Sequence, residues 1–167
     1  MESDLARVAA VFSNRADAYA LERANRMNIP TVVFDRTEFY DDDTVLERLA
    51  AMLPDLIVLA GFLWKVPEKI VRAFPNRIVN IHPALLPKYG GKGMYGIRVH
   101  RAVVENGESE SGITIHYVNE HYDEGAIIFQ AKCAIDEHDT AETLAEKIHE
   151  LEHKHFPATI ERVLRLV

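Results

Sequence analysis

Short apolar runs alternate along this chain with longer stretches whose apolar residues recur at helical spacing. Residues 7–12 (RVAAVF) predict a short buried strand. Residues 16–28 predict a helix, with Asp17 placed to cap it and Pro30 just beyond its end. TVVF at 31–34 predicts a second strand. Asp43 or Thr44 is placed to cap the next helix, whose apolar face is Val45, Leu46, Leu49 and Leu53. LIVLA at 56–60 predicts a third strand, ended by Gly61. A helix is expected from Pro67, where proline is tolerated, to about Phe74. Residues 77–81 (RIVNI) complete the alternation, which argues for an α/β fold with a parallel sheet.

Beyond Asn80 the pattern changes. Residues 89–96 (YGGKGMYG) are glycine-rich and expected to be mobile, and residues 97–106 read as a helix. GITIHYV at 112–118 and AIIFQAKCAI at 126–135 predict two strands joined by NEHYDEG, a link short enough for antiparallel pairing. Thr140 is placed to cap the last helix, with Glu142 and Glu146 in its first turns and Leu144, Ile148 and Leu151 on its apolar face. No repeat, low-complexity stretch or interdomain linker interrupts the chain, so a single domain over 1–167 is expected.

Composition narrows the function classes. The formal net charge is −7 and no basic cluster appears, which argues against a nucleic-acid partner. Cys133 is the only cysteine, so no intrachain disulfide can form, and a reducing compartment fits. No apolar run is long enough for a membrane span and no signal-peptide pattern opens the chain. A cytoplasmic protein is expected.

The chemistry concentrates in RIVNIHPALLPKYGG at 77–91. Asn80 and His82 interrupt an apolar strand two residues apart, so they share one of its faces. In open α/β sheets ligands gather at the carboxyl ends of strands, which would turn both groups toward a cleft. Taken alone, an N-x-H triplet more often marks a hydrogen-bonded strand end. Asp123 alone, in the acid-rich EHYDEG, reads as a solvated loop residue, and Cys133 as a core residue.

Longer stretches weigh differently. NIHPALLPKYGG resembles the signature of the folate-dependent formyltransferase family, in particular its phosphoribosylglycinamide branch. AVFSNRADAYALERA, PDLIVLAGFLWKV, GITIHYVNEHYDEGAIIFQAKCAI and ELEHKHFPATI resemble further segments of that family, in order, over almost the whole chain. The resemblance implies a Rossmann-like mixed sheet, mostly parallel with an antiparallel C-terminal part. It implies transfer of formyl from the co-substrate 10-formyltetrahydrofolate to the amine of glycinamide ribonucleotide, in purine synthesis. Asn80, His82 and Asp123 would form the catalytic trio. Leu63, Trp64, Lys65 and Val66 would line the folate pocket with Asn80, Glu152 would contact the amine substrate, and Thr114, His116 and Asn119 would support the trio. No metal is implied, and the assembly leaves room for a homodimer.

These residue types suit acyl transfer. An amide N–H and an imidazole N–H can stabilise the oxyanion formed when an amine attacks the formyl carbon. A neighbouring carboxylate is expected to raise the His82 pKa and orient the ring, and His82 or an ordered water would move the proton. The alternatives are a formyl-folate hydrolase, a formyltransferase acting on another amine such as methionyl-tRNA, or a folate-binding relative without turnover. The hydrolase usually has a second histidine where Pro83 stands, and the tRNA enzyme a further C-terminal domain. A competing motif is HELEH at 149–153, which would set two imidazoles on one helix face with Glu150 as base. No separate downstream helix offers a third zinc ligand, and surface histidines are expected.

Two departures from the family pattern stand out. Only residues 1–4 precede the first predicted strand, where the family has another strand and a glycine- and serine-rich turn that holds the substrate phosphate at a helix N-terminus. The chain as given is therefore expected to bind the ribonucleotide weakly. The extra glycines at 90–96 point to a longer lid or a plain surface loop, and Trp64 stands where the family is often basic.

Overall fold

The computed structural model describes residues 5–166. The expectation that rests on residues 1–4 lies outside the described residues. The chain divides into two compact units, one through Asp55 and one from Leu56 onward.

In the first unit, β1 (Val11–Ser13) and β2 (Thr31–Val33) form a parallel pair, with Val11 opposite Thr31. The connecting helix α1 (Tyr19–Arg26) buries Leu21 and Ala24. β1 starts four residues later than the apolar run predicts: only Val11–Ser13 find ladder partners, and Val8 is 56% exposed. Asp17 does not cap α1. It pairs with Arg15 at 2.8 Å, and Ala18 holds the cap position. A short helix, α2 (Arg36–Tyr40), stands where none is expected. Asp35 accepts from the Glu38 N–H while Glu38 accepts from the Asp35 N–H, a reciprocal pair that satisfies donors at the helix start. Phe34 stacks on Phe39 beneath it, with ring centroids 5.2 Å apart. α3 (Thr44–Met52) follows, with Asp43 at its N-cap. Leu53 is not on its apolar face: it ends the helix in the left-handed conformation and is 84% exposed.

The second unit holds a four-stranded sheet in the order β3 (Ile57–Leu59), β4 (Ile78–His82), β5 (Glu110–Tyr117), β6 (Ile127–Ala134). β3 and β4 are parallel, and β5 runs antiparallel to both of its neighbours. Parallel pairing thus belongs to the first half of the chain, and direction reverses at β4, where a mixed α/β sheet was expected to turn antiparallel. α4 (Glu68–Ala73) starts after Pro67, and α5 (Ile97–Glu105) and α6 (Ala141–Leu164) complete the unit. Strand alternation sorts β5: Ile113 and Ile115 face the helices, where they pack with Val103 of α5 and Leu144 and Ile148 of α6. Thr114 and His116 face the other way. Thr140 caps α6 as expected, its hydroxyl accepting from the Thr143 N–H. Cys133 sits half-buried against the same apolar cluster. No helix among the described residues is long and apolar enough to cross a membrane.

Candidate active site

β4 places the first two candidates. Its alternation sends Ile81 into the core and turns Asn80 and His82 to the opposite face. Across the ladder Asn80 stands opposite His116 and His82 opposite Thr114, so residues far apart in sequence become neighbours. The Asn80 amide donates to His116 Nε2 at 3.2 Å.

Asp123 comes from the connection between β5 and β6 and holds a left-handed backbone, at φ 56°. Gly125 makes that connection fit. A Cβ there would lie 1.7 Å from the Tyr117 carbonyl oxygen, so only glycine lets the chain turn against the end of β5. Each Asp123 oxygen meets one imidazole: Oδ2 lies 3.6 Å from His82 Nδ1, and Oδ1 lies 3.6 Å from His116 Nε2. Both separations are too long for hydrogen bonds. The Gly91 N–H donates to Oδ2 at 2.9 Å.

The outer ring nitrogens are both tied to backbone. His82 Nε2–H donates to the Tyr89 carbonyl at 2.7 Å, and His116 Nδ1–H donates to the Tyr117 carbonyl at 2.8 Å. A carbonyl can only accept, so these bonds fix both tautomers. The neutral His82 ring then turns its Nδ1 lone pair toward Asp123.

Burial overturns the expected direction of the His82 pKa. His82 is 4% exposed, and burial pushes its imidazole below the ordinary value. Asp123 and the Tyr89 carbonyl push it up, as expected of a carboxylate and an acceptor, but they do not overcome the loss of solvent, and His116 adds to the lowering. For Asp123, burial raises the carboxyl, yet His116, His82 and the Gly91 N–H together hold it below the usual carboxylate range. At neutral pH the His82–Asp123 pair is therefore a neutral imidazole beside a carboxylate.

The other predicted residues divide. His116 joins the group directly. Thr114 does not: its buried hydroxyl donates to the Ala84 carbonyl at 2.7 Å and accepts from the Leu86 N–H at 3.0 Å, so it holds the turn after β4. Asn119 caps the start of the Asp123 connection by accepting from the His121 N–H. Leu63, Trp64, Lys65 and Val66 lie between β3 and α4, at the carboxyl end of β3. Leu63 is exposed and Val66 buried. Glu152 is half-buried on α6. Burial raises its carboxyl, while His149 and His153 pull it the other way. Those two histidines are exposed, and no group of His, Cys, Asp and Glu among the described residues is arranged to hold a metal ion. The glycine at 125 was already a sequence signal for Asp123, but the Tyr89 carbonyl and the Gly91 N–H were missed from sequence. Both act through backbone groups, which side-chain identity does not reveal. The paired glycines at 90 and 91 were the only signal.

The formyl transferase family profile matches residues 1–160. A phosphoribosylglycinamide formyltransferase of Haemophilus influenzae is 41% identical over 159 residues, covering 93% of this chain and 73% of that protein. The chloroplastic enzyme of the same name from Arabidopsis thaliana is 43% identical over 152 residues, and there the match covers 88% of this chain but only 52% of the relative. Among solved structures, glycinamide ribonucleotide transformylase 1 of Symbiobacterium toebii superposes with a TM-score of 0.86 at 40% identity, covering 95% of this chain and 74% of that one. The match extends through the segments that carry Asn80, His82, His116 and Asp123, and the chain belongs to the formyl transferase family, among its phosphoribosylglycinamide formyltransferases.

Proposed function

We propose that the chain moves the formyl group of 10-formyltetrahydrofolate to the amine of glycinamide ribonucleotide, a step of purine synthesis. The observation that carries this reading is the contact group Asn80–His116–Asp123–His82 at the end of β4, in a chain of this family. Formyl transfer needs a donor for the oxyanion, a place for the amine's proton and a route to the leaving nitrogen. Asn80 serves as the donor: one amide hydrogen is taken by His116, and the second is available to the formyl oxygen.

His82 acts as a proton carrier rather than a standing cation. Neutral before reaction, it accepts the amine's proton at Nδ1, directly or through a water, as the new C–N bond forms. Asp123 stabilises the imidazolium. The proton then passes to the folate nitrogen as the old C–N bond breaks, and no covalent enzyme intermediate is needed. Leu63, Trp64, Lys65 and Val66 line the folate pocket in this proposal, and Glu152 meets the amine substrate. The partners are small molecules, no step calls on a metal, and a reducing cytoplasmic setting suits the lone cysteine.

Purified chain given both substrates should release formylated ribonucleotide and tetrahydrofolate in equal amounts, with neither formed when one substrate is omitted. Release of tetrahydrofolate at the same rate without the amine would assign the chain to hydrolysis instead. Transfer to methionyl-tRNA but not to the ribonucleotide would overturn the substrate assignment.

A further inference from the structure

We propose that the Tyr89 side chain, gripped by Glu108 and Asn106, positions His82 for reaction, a role that rests on the reading of His82 as proton carrier. The linkage runs through one residue. The Tyr89 carbonyl accepts from His82 Nε2–H at 2.7 Å. The Tyr89 hydroxyl donates to Glu108 Oε1 at 2.9 Å and accepts from the Asn106 amide at 3.0 Å. Lys88, its neighbour, donates to both Glu108 oxygens at 2.9 and 3.1 Å. The phenol thus uses its donor and an acceptor site, both on the short turn between α5 and β5.

Tyr89 needs such a hold. Its φ is 57°, a left-handed conformation unusual for a residue with a Cβ. Left unpinned, the backbone would relax and carry the carbonyl away from His82. The ring also packs against the apolar cluster of β5, α5 and α6. Two residues on, the Gly91 N–H holds Asp123, and a Cβ at Gly90 would lie 2.5 Å from Leu86 and 3.3 Å from the Asp123 Cβ. Residues 88–91 therefore grip both members of the His82–Asp123 pair with backbone groups.

Asn106 and Glu108 close the segment that starts at Tyr89 and runs through the glycine-rich stretch and α5. Gly91, Gly93 and Gly96 all have positive φ, so this stretch has the backbone freedom to rearrange around a ligand. The pin at Tyr89 separates that freedom from His82. Asn106, Glu108 and Lys88 make none of the contacts within the Asn80–His116–Asp123–His82 group. They are positioning residues, acting through Tyr89.

Removing the grip has a specific consequence for the imidazole. With the carbonyl released, nothing holds the proton on Nε2, and Asp123 draws it to Nδ1. The nitrogen assigned to accept the substrate proton is then already occupied. His82 also feels His116, and His100 feels His82, but neither of those imidazoles is altered by changes at Tyr89 or Glu108.

The test uses the full chain carrying Tyr89→Phe, Glu108→Ala or Glu108→Gln. Histidine 15N shifts report the His82 tautomer without reference to activity. Tyr89→Phe removes a single oxygen and should leave the fold intact by circular dichroism. We expect the Nδ1–H form of His82 to gain population in Tyr89→Phe and Glu108→Ala. Turnover should fall about tenfold, as misplacement of a reacting group does, with both KM values changed less than about twofold. The acid limb of the pH profile should move to lower pH, because the carbonyl bond that raises His82 is weakened. Glu108→Gln keeps an acceptor for the phenol and should recover most of the turnover. An unchanged tautomer ratio and pH profile in Tyr89→Phe and Glu108→Ala would overturn the proposal, whatever the melting temperature does. His82→Ala with native turnover would instead remove the proton-carrier reading, and the tautomer measurement would still decide the grip.

Discussion

At the scale of single residues, the site turns on which nitrogen holds a proton. Asp123 meets His82 Nδ1 at 3.6 Å with the ring buried, so in the proposed mechanism its main service is to stabilise the charge that appears on His82 during reaction. Asp123→Asn removes one of the two groups that raise His82, so the acid limb of the rate profile should shift to lower pH. Plateau turnover should fall about a hundredfold, as when a preorganised charge is lost from a reaction centre. His82→Ala should cost at least as much, and the double variant should cost less than the product of the two, because the pair acts as one device. Rate profiles across the neutral and acid range check both, and an unshifted limb in Asp123→Asn would make the carboxylate a loop residue. His100 offers a stability test in the same range. It is 3% exposed on α5, its Nδ1 has no partner, and burial holds its pKa at about 4 against an ordinary 6.5. The unfolded chain therefore takes up this proton first. Stability is complete above pH 6.5 and should decline as pH falls toward 4, by about 2 kcal/mol after allowance for solvent screening. His100→Leu, which replaces an unpaired polar group with an apolar one of similar volume, should flatten that decline in denaturant titrations across pH.

At the scale of elements, pattern and packing agree wherever an element is long. α6 is capped by Thr140 and buries Leu144 and Ile148, as its periodicity predicts, and β5 and β6 pair antiparallel across their short connection. Short elements were harder to read. α2 spans five residues, too few for a helical stripe, although its reciprocal cap, Asp35 with Glu38, stood in the sequence three residues apart. β1 was placed too early because an apolar run does not say which of its residues will find a ladder partner. Leu53 matched the spacing of α3 but fell on the residue that ends it. The candidate site divides the same way. That Asn80 and His82 share a face was legible, because two polar side chains two apart on an apolar strand must do so; their candidacy as a site came from the family resemblance. The carbonyl of Tyr89 and the N–H of Gly91 were not legible, since every residue but proline offers both groups and only the fold chooses among them. The β5–β6 connection shows how such a choice is enforced. Gly125→Ala would drive a methyl group into the Tyr117 carbonyl, 1.7 Å away, and the connection must lift off β5 and take Asp123 with it. A loss of about 1–3 kcal/mol in stability is expected, as for other overpacked sites. Turnover should drop more than tenfold, since small displacements at a reacting group are costly. Denaturant titration together with turnover would reveal both, and native turnover in a destabilised protein would show that Asp123 tolerates the shift.

For the whole molecule, the two compact units differ in what they carry. Asn80, His82, His116 and Asp123 all lie in the unit that begins at Leu56, as do Tyr89, Glu108 and Leu63–Val66 in sequence. Their positions are set by one apolar cluster. Ile81 and Ile115 occupy it from strand positions adjacent to Asn80, His82, Thr114 and His116, so a change in packing on one face of the sheet shifts the polar groups on the other. The first unit has its own apolar residues, including Leu21, Phe34, Phe39 and Val45, and none of the contact group. Equal losses of core volume should therefore have unequal effects on the site. Ile115→Ala and Leu21→Ala each remove buried aliphatic groups and should each cost about 2–5 kcal/mol of stability. Ile115→Ala should also move the His82 and His116 ring resonances and weaken binding of a folate analogue at temperatures where the variant is still folded, because the cavity lies directly behind the strand that holds them. Leu21→Ala should leave those resonances and that affinity near their native values in the folded fraction. Calorimetry with the folate analogue and histidine NMR on the two variants, run well below their melting temperatures, separate loss of stability from loss of geometry. Equal disturbance of His82 by both substitutions would mean that its placement depends on the first unit as much as on the cluster beneath β5.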